Sequence, residues 1–361
     1  MRAGMIIRTI HAWSGAGLSL LLAVMGISGS LLVFKNDYLR ASFPQARHAV
    51  PADPATVAAF TEQAEALYGA SAIRSLRFPA PDLGLLRVRL NTGESAYLDR
   101  TGAELARWHG HARPEEWVFD LHHYLLMGET GEIVIGIAGL CLFGLVLSGL
   151  YAVWPARRSL GARVLPRSAK RRDLLSSHRN LGVLAGLPMI VMALTGTGMI
   201  FPDMAKALML AGRTSPAPLK MAPTTDSGEA DWPTLFQTAQ AEFPDATIRG
   251  VTMASGQGGA IRIRIRQPAE WQPNGRTYIS VDPASATVLS VTDALSATPG
   301  AQAFNAFYPI HSGRLGEGYG ARIYDLLLAI IGVSLTVLGL VGMYAFLTKP
   351  RRLRKRAASQ I

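Results

Sequence analysis

Four of the eight histidines precede long apolar stretches, and they form two matching pairs. His11 and His178 make the first pair, because each is followed by a glycine four residues and eighteen residues later. These glycines are Gly15, Gly29, Gly182 and Gly196. Eighteen residues make about five helical turns, so each histidine shares a helix face with its two glycines. An imidazole at a membrane edge is costly unless it is used, which makes both histidines candidate ligands.

The second pair precedes the other two apolar stretches. His311 lies in YPIHSGRLGEGYG, whereas the corresponding segment of the first half, DLHHYLLMGETG, contains both His122 and His123. Adjacent residues of a helix point about 100° apart, so only one of these two should face the neighbouring helices. Side-chain chemistry alone does not choose between them.

Two pairs of histidines predict two metal centres, each with two protein ligands. Zinc and copper prefer three or four compact ligands, which this pattern does not supply. Two facing imidazoles suit haem iron, because the macrocycle provides the other four nitrogens. No C-x-x-C-H motif occurs, so such a haem would not be thioether-attached. The competing interpretation is that the histidines cap helices or lie at the interface.

Gly15 and Gly182 lie one helical turn inward of His11 and His178. A missing side chain there would let a flat ring approach the helix backbone. The alternative is that these glycines serve close packing between helices, which is common in membranes.

Four uncharged apolar stretches are long enough to cross a bilayer core of about 30 Å at a rise of about 1.5 Å per residue. They are Ala12–Phe34, Ile133–Trp154, Leu181–Phe201 and Leu326–Leu347. The segment before the first stretch, the loop 155–180 and the tail hold 16 of the 36 basic residues and 1 of the 25 acidic ones. This asymmetry predicts cytoplasmic termini and a cytoplasmic short loop. The net charge of +11 therefore reflects topology and not nucleic-acid binding.

Each long loop has the pattern of a small α+β domain. A helix-like segment is followed by strand-like runs, in the first loop at 53–68 and then 72–78, 84–90 and 95–98, and in the second at 231–243 and then 246–254, 260–267 and 277–281. In the run IRIRIR, three arginines share one strand face. That face is either solvated or a docking surface for an anionic partner.

The sequence thus predicts an α-helical membrane protein, a four-helix transmembrane bundle of two parallel repeats with two periplasmic α+β modules. The boundaries are 1–34 for span 1, 35–132 for module 1, 133–154 for span 2, 155–180 for the basic loop, 181–201 for span 3, 202–325 for module 2, 326–347 for span 4 and 348–361 for the basic tail.

Four motifs resemble the PepSY-associated transmembrane (PepSY_TM) family of bacterial inner-membrane proteins. They are IHAWSGAGLSLLLAVMGISGSLLVF, DLHHYLLMGETG, SSHRNLGVLAGLPMIVMALTGTGMIF and YPIHSGRLGEGYG, and the resemblance covers nearly the whole chain. The long loops are similar to PepSY modules. One branch of the family consists of di-haem ferric-siderophore reductases of the ferrioxamine-reductase type.

The resemblance implies two haem b groups. His11 and His178 would ligate the cytoplasmic-side iron, and His122 with His311 the periplasmic-side iron, with His123 as the alternative to His122. Electrons would pass from a cytoplasmic or quinol donor to a periplasmic ferric siderophore or other ferric chelate and release Fe(II). The expected location is the bacterial inner membrane, with multiple passes through the lipid bilayer and both termini in the cytoplasm.

Two other functions compete with this one. In the first, the chain is a non-enzymatic PepSY anchor or regulator that binds a periplasmic protein, and its histidines are structural. The second is a transporter subunit, which the absence of charged residues within the spans disfavours. No G-x-G-x-x-G follows a strand, so a built-in nicotinamide or flavin domain is not expected.

Overall fold

A computed structural model of the chain describes residues 2–48, 50–210, 230–253, 259–316 and 318–348. The helices are α1 (Arg2–Val33), α2 (Lys35–Ser42), α3 (Pro54–Tyr68), α4 (Pro114–Tyr124), α5 (Glu129–Val153), α6 (Arg171–Ile200), α7 (Pro202–Leu210), α8 (Trp232–Glu242), α9 (Pro299–Asn305), α10 (Phe307–Ser312) and α11 (Tyr319–Leu347). The strands are β1 (Ile73–Arg77), β2 (Leu86–Leu90), β3 (Glu94–Leu98), β4 (Glu104–His109), β5 (Thr247–Thr252), β6 (Ile261–Arg266), β7 (Thr277–Val281) and β8 (Val288–Thr292). The basic tail lies outside these residues, apart from Thr348.

Four helices, α1, α5, α6 and α11, are long and apolar enough to cross a membrane. Two of them begin well before their apolar runs, α1 at Arg2 and α6 at Arg171. The helical hydrogen-bond pattern simply continues through the basic residues that precede each run, so His11 and His178 lie within helices and not at their starts. The interior Pro188 does not interrupt α6.

The four long helices form a ring in which α1 contacts α5 and α11, and α6 contacts the same two helices. Helices α1 and α6 are therefore diagonal partners. The closest approach joins α1 to α11, where a Cβ atom on Gly26 would collide with the carbonyl oxygen of Gly332. Ser30 Oγ donates to the carbonyl of Ala329 across this contact, at 2.9 Å. Small residues and hydroxyl donors of this kind are the usual means of helix association in lipid.

One eight-stranded antiparallel sheet contains the strands of both long loops, in the order β4-β3-β2-β1-β5-β6-β7-β8. The halves join where β1 pairs with β5, with Leu76 opposite Val251 and Arg77 opposite Gly250. A Cβ atom at Gly250 would lie 2.7 Å from the Leu76 carbonyl oxygen, so glycine permits this pairing. The sequence pattern predicted two separate modules and did not predict this continuity.

The sheet is covered on one face and open on the other. Helices α3 and α8 cover the first face, and their apolar side chains form a common core with both halves of the sheet. Asp53 and Asp231 cap these two helices by accepting hydrogen bonds from the backbone N–H groups of Thr56 and Thr234. The other face carries arginines and is directed toward one end of the helix bundle. We call this the sheet end, and the end that carries the loop 155–170 the loop end.

Candidate functional site

Two short helices complete the sheet end of the bundle. Helix α4 packs on α1 and helix α10 packs on α6, each just before a long helix begins. These contacts bring His122 of α4 and His311 of α10 together, with ring centroids 6.3 Å apart and planes inclined by 45°.

The loop end contains the other pair. His11 of α1 and His178 of α6 face each other across the interior, because their helices are diagonal in the ring. Their ring centroids are 6.4 Å apart and their planes are inclined by 77°. The structure therefore brings together the histidines that the sequence paired, two at each end.

His123 does not take part in the sheet-end pair. Its ring stacks on Phe119 at a centroid distance of 4.9 Å, and its Nδ1 atom has no hydrogen-bond partner among the described residues. The adjacent residue His122 is the one that faces His311. The remaining three histidines lie elsewhere: His48 and His109 are exposed, and His111 pairs with Asp120.

Each of the four paired imidazoles lies against a glycine of a neighbouring helix. A Cβ atom added at that glycine would come within 2.8–3.1 Å of the ring Cε1 atom. The contacts are Gly149 with His11, Gly342 with His178, Gly29 with His122 and Gly196 with His311. The spacing in the sequence had marked Gly29 and Gly196 but missed Gly149 and Gly342. The signal was available in the matching segments SGLY and VGMY, where each glycine lies two residues before a tyrosine.

Gly15 and Gly182, the candidate cofactor-approach glycines, contact only leucine side chains. An added Cβ atom would meet Leu145 at 3.6 Å and Leu338 at 3.8 Å, and no other atom lies within 4 Å. Neither glycine therefore sits at a tight helix–helix contact within the described structure. This favours the interpretation that they leave space for a ring over the interpretation that they permit close helix packing.

Three of the four histidines direct their Nδ1 atoms at a hydroxyl of the neighbouring helix. The distances are 3.0 Å from His11 to Ser148, 2.9 Å from His122 to Ser28 and 3.1 Å from His311 to Thr195. In each case the hydroxyl residue directly precedes the glycine that supports the ring.

The three hydroxyl groups donate their protons to backbone carbonyls, and this determines which nitrogen of each imidazole carries a proton. Ser28 donates to the carbonyl of Val24 at 2.7 Å, Thr195 to that of Val191 at 2.7 Å, and Ser148 to that of Leu145 at 3.1 Å. A hydroxyl that donates to a carbonyl can only accept from an imidazole, so Nδ1 must carry the proton. Nε2 is then the unprotonated nitrogen, which is the one able to bind a metal.

His178 is the exception. Val341 precedes its supporting Gly342, where the other three sites have serine or threonine. Its Nδ1 atom has no hydrogen-bond partner within the described chain.

The two histidines of the sheet-end pair are neutral at pH 7. Burial and the nearby His311 and His123 lower the pKa of His122 to about 3, and burial lowers the pKa of His311 to about 4. A metal binds the neutral imidazole, so these histidines need not lose a proton before they coordinate.

A cavity of about 880 Å³, which we call the chamber, extends from the open face of the sheet past the sheet-end pair into the helix bundle. Its floor is the apolar interior of the bundle, with His122 and His311 exposed to it; other floor residues are Leu22, Met25, Ala138, Leu142, Met189, Ala193 and Leu335. Its roof is the arginine-bearing face of the sheet, including Arg77, Arg87, Arg89, Arg249, Arg264 and Arg266. Arg264 and Arg266 of the IRIRIR strand thus line the chamber, whereas Arg262 lies over the ring of Tyr278.

Both arginines that lie near the histidines in the sequence have protein partners. Arg314 pairs with Asp82 at 2.7 Å in the wall of the chamber. Arg179, in helix α6, donates to the carbonyl of Ser159 in the basic loop at 2.9 Å.

These residues fit haem iron held by two imidazoles. With metal–nitrogen bonds of about 2 Å and about 1 Å from each nitrogen to its ring centre, two axial imidazoles have centroids roughly 6 Å apart. Both observed separations agree with this value. Within the described ranges, no group of three or more His, Cys, Asp or Glu side chains could hold a metal by itself. The donor set thus fits a metal that brings its other ligands with it.

Comparison with known proteins places the chain in a family. No curated protein matched it. The family model of the PepSY-associated TM region matches residues 8–349, which include both histidine pairs, all four long helices and the whole sheet. The chain therefore belongs to the PepSY-associated transmembrane family, and it is a helical membrane protein.

Proposed function

We propose that the protein is a di-haem b electron-transfer protein that reduces a ferric siderophore or other ferric chelate. The observation that carries this proposal is the duplicated histidine pair, with the same ring separation at both ends and Nε2 left free to bind. Eighteen residues separate His11 from Gly29, the support of His122, which corresponds to about 27 Å along α1. Two centres at that distance lie near opposite ends of one bundle.

His11 and His178 would hold one haem, and His122 and His311 the other. Haem iron with two imidazole ligands supplies one-electron Fe(III)/Fe(II) chemistry and has no open position for oxygen. The supporting glycines let each imidazole lie close to the neighbouring helix, and the hydroxyls hold Nε2 toward the interior. Between the two pairs, Leu22, Leu142 and Ala193 form an apolar cluster.

The charge asymmetry supports an orientation in the inner membrane. The loop end, with its basic segment 155–180, would face the cytoplasm together with both termini. The sheet and the chamber would then face the periplasm. Electrons would enter at the loop end from a quinol or a cytoplasmic reductant and leave through the chamber.

The acceptor would be a chelated Fe(III) in the chamber. It gains one electron, supplied by the reduced protein, and becomes Fe(II). Fe(II) is softer and less charged, so hard oxygen ligands hold it less tightly and the iron is released.

Visible spectroscopy of the detergent-purified protein tests the proposal. We expect b-type bands after dithionite reduction and about two haems per chain by pyridine haemochrome assay. His311→Ala should remove one haem and retain the other, whereas the exposed His48→Ala serves as a control with both. Correctly folded protein that lacks haem despite an ample supply would contradict the proposal and favour the non-enzymatic anchor.

A further inference from the structure

We propose that the chelate reduced by this protein is an anion, rich in carboxylate or phenolate oxygens, and that it binds under the arginine roof of the chamber. This inference rests on the proposed reductase function and adds the charge class of the substrate. It excludes neutral and cationic chelates, such as trihydroxamates with a free amine, as preferred substrates.

The charge balance of the chamber lining is the first argument. Eleven basic and four acidic side chains line it among the described residues, an excess of seven positive charges. The acidic residues are Asp37, Asp82, Glu116 and Asp325. A cavity with one sign of charge concentrates ligands of the opposite sign.

The acidic residues pair with basic residues of the walls and with one roof arginine, Arg87. Asp37 pairs with Arg40 and Arg322, Asp82 with Arg314, and Glu116 with Lys35 and Arg87. In the part of the chain that the structure describes, no carboxylate lies within ion-pair distance of five other lining arginines. These are Arg77, Arg89, Arg264, Arg266 and Arg276.

The geometry of the guanidinium group is the second argument. Arg77, Arg89 and Arg276 line the chamber. A guanidinium group can donate two parallel hydrogen bonds to one carboxylate, so these side chains suit an anion rich in carboxylate oxygens.

Repulsion among the roof arginines also favours binding of an anion. Burial and the neighbouring positive charges of Arg87 and Arg77 lower the pKa of Arg89 to about 10. The roof therefore holds like charges together, and an anion between them would relieve the repulsion.

The propionates of the sheet-end haem are a second source of carboxylates. The two propionate charges would compensate only part of the excess of seven positive charges. The roof would therefore stay positive even with haem bound. Experiments on haem-loaded protein separate the two sources, because the propionates are then already in place.

Binding of redox-inert gallium(III) chelates to haem-loaded protein in nanodiscs tests the inference. Calorimetry should show gallium citrate, an anion, binding at least about tenfold more tightly than a cationic gallium trihydroxamate. The preference should decrease as salt is raised, since salt screens charge. Arg77→Gln with Arg89→Gln should reduce citrate binding by at least about tenfold. Arg100→Gln, an exposed charge outside the chamber lining, should leave it unchanged.

Equal binding of both chelates, or preference for the cation, would overturn the inference while the haem count still upholds the proposed function. Roof variants that lose haem but bind citrate normally would also overturn it, because the arginines would then serve the propionates. Failure of the proposed function has a different signature, the absence of haem from folded protein.

Discussion

The two ends of the bundle contain histidine pairs of nearly equal separation in different surroundings. At the sheet end both Nδ1 atoms meet a hydroxyl, and the pair opens onto a basic chamber. At the loop end only His11 has a hydroxyl partner, and Val341 precedes the glycine that supports His178. The ring planes differ too, with 45° between them at the sheet end and 77° at the loop end.

The difference between the two ends separates two requirements, that of holding a metal group and that of exchanging electrons with an acceptor. Holding a metal group requires only the facing imidazoles and their glycine supports, which both ends have. Exchange of electrons with a bulky acceptor also requires space and charge near the centre, which the chamber provides at the sheet end. We infer that the sheet end is the exit of the electron path.

Replacement of one histidine ligand should have the largest effect and should distinguish the two ends most clearly. His311→Ala should remove the sheet-end haem and abolish reoxidation of the dithionite-reduced protein by a ferric chelate. His178→Ala should remove the loop-end haem, yet chelate should still reoxidise the remaining one. Stopped-flow absorbance on both variants measures this, and equal residual rates would contradict the assignment of the exit.

Filling a glycine support should have the next largest effect. Gly196→Val places carbon atoms where the His311 ring lies, since a Cβ atom alone comes within 2.8 Å of its Cε1 atom. We expect loss of most of the sheet-end haem. Gly17→Val is the matched control, because no atom of the described structure lies within 4 Å of a Cβ there. Haem content per folded chain decides the outcome.

Gly182→Ala should have an intermediate effect. The added methyl group meets only Leu338, at 3.8 Å, so thermal stability of the haem-free protein should not change. If the space belongs to a ring, haem retention should nevertheless decrease. Reduced stability with full haem retention would instead support the helix-packing interpretation.

The smallest effects should come from the hydroxyls. Ser28→Ala removes the acceptor of the His122 N–H and makes this imidazole a weaker donor to iron. A change of about 1 kcal/mol corresponds to roughly 40 mV for one electron, toward a higher potential. Val341→Ser should shift the loop-end potential in the opposite direction. Spectroelectrochemical titration measures both, and shifts of the same sign would contradict this account.

The sequence revealed those features that depend on local periodicity. The spacing from His11 to Gly29 repeats along one helix, so it is visible without tertiary structure. The hydroxyl at Ser148 and the support at Gly149 lie on helices that carry no paired histidine. Their role depends on which helices are neighbours in the ring, and no local pattern states this.

The strands, too, could be predicted from the sequence only where a local pattern marks them. Strand β6 alternates strictly, and the sequence predicted both the strand and its arginine face. It did not predict that Arg264 and Arg266 line the chamber. Strands β4 and β8 were not predicted. They are the edges of the sheet, where half-exposed side chains replace the alternation that burial imposes.

The pairing of β1 with β5 also constrains biosynthesis. Strand β1 is synthesised roughly 170 residues before β5, and the long helices α5 and α6 lie between them in the chain. Until then β1 has an unpaired edge, which is a site for misassembly or for capture by a chaperone. The two halves, produced as separate polypeptides, would each carry this edge and should recombine through it. The sheet is therefore completed only after three of the four long helices, α1, α5 and α6, have been synthesised.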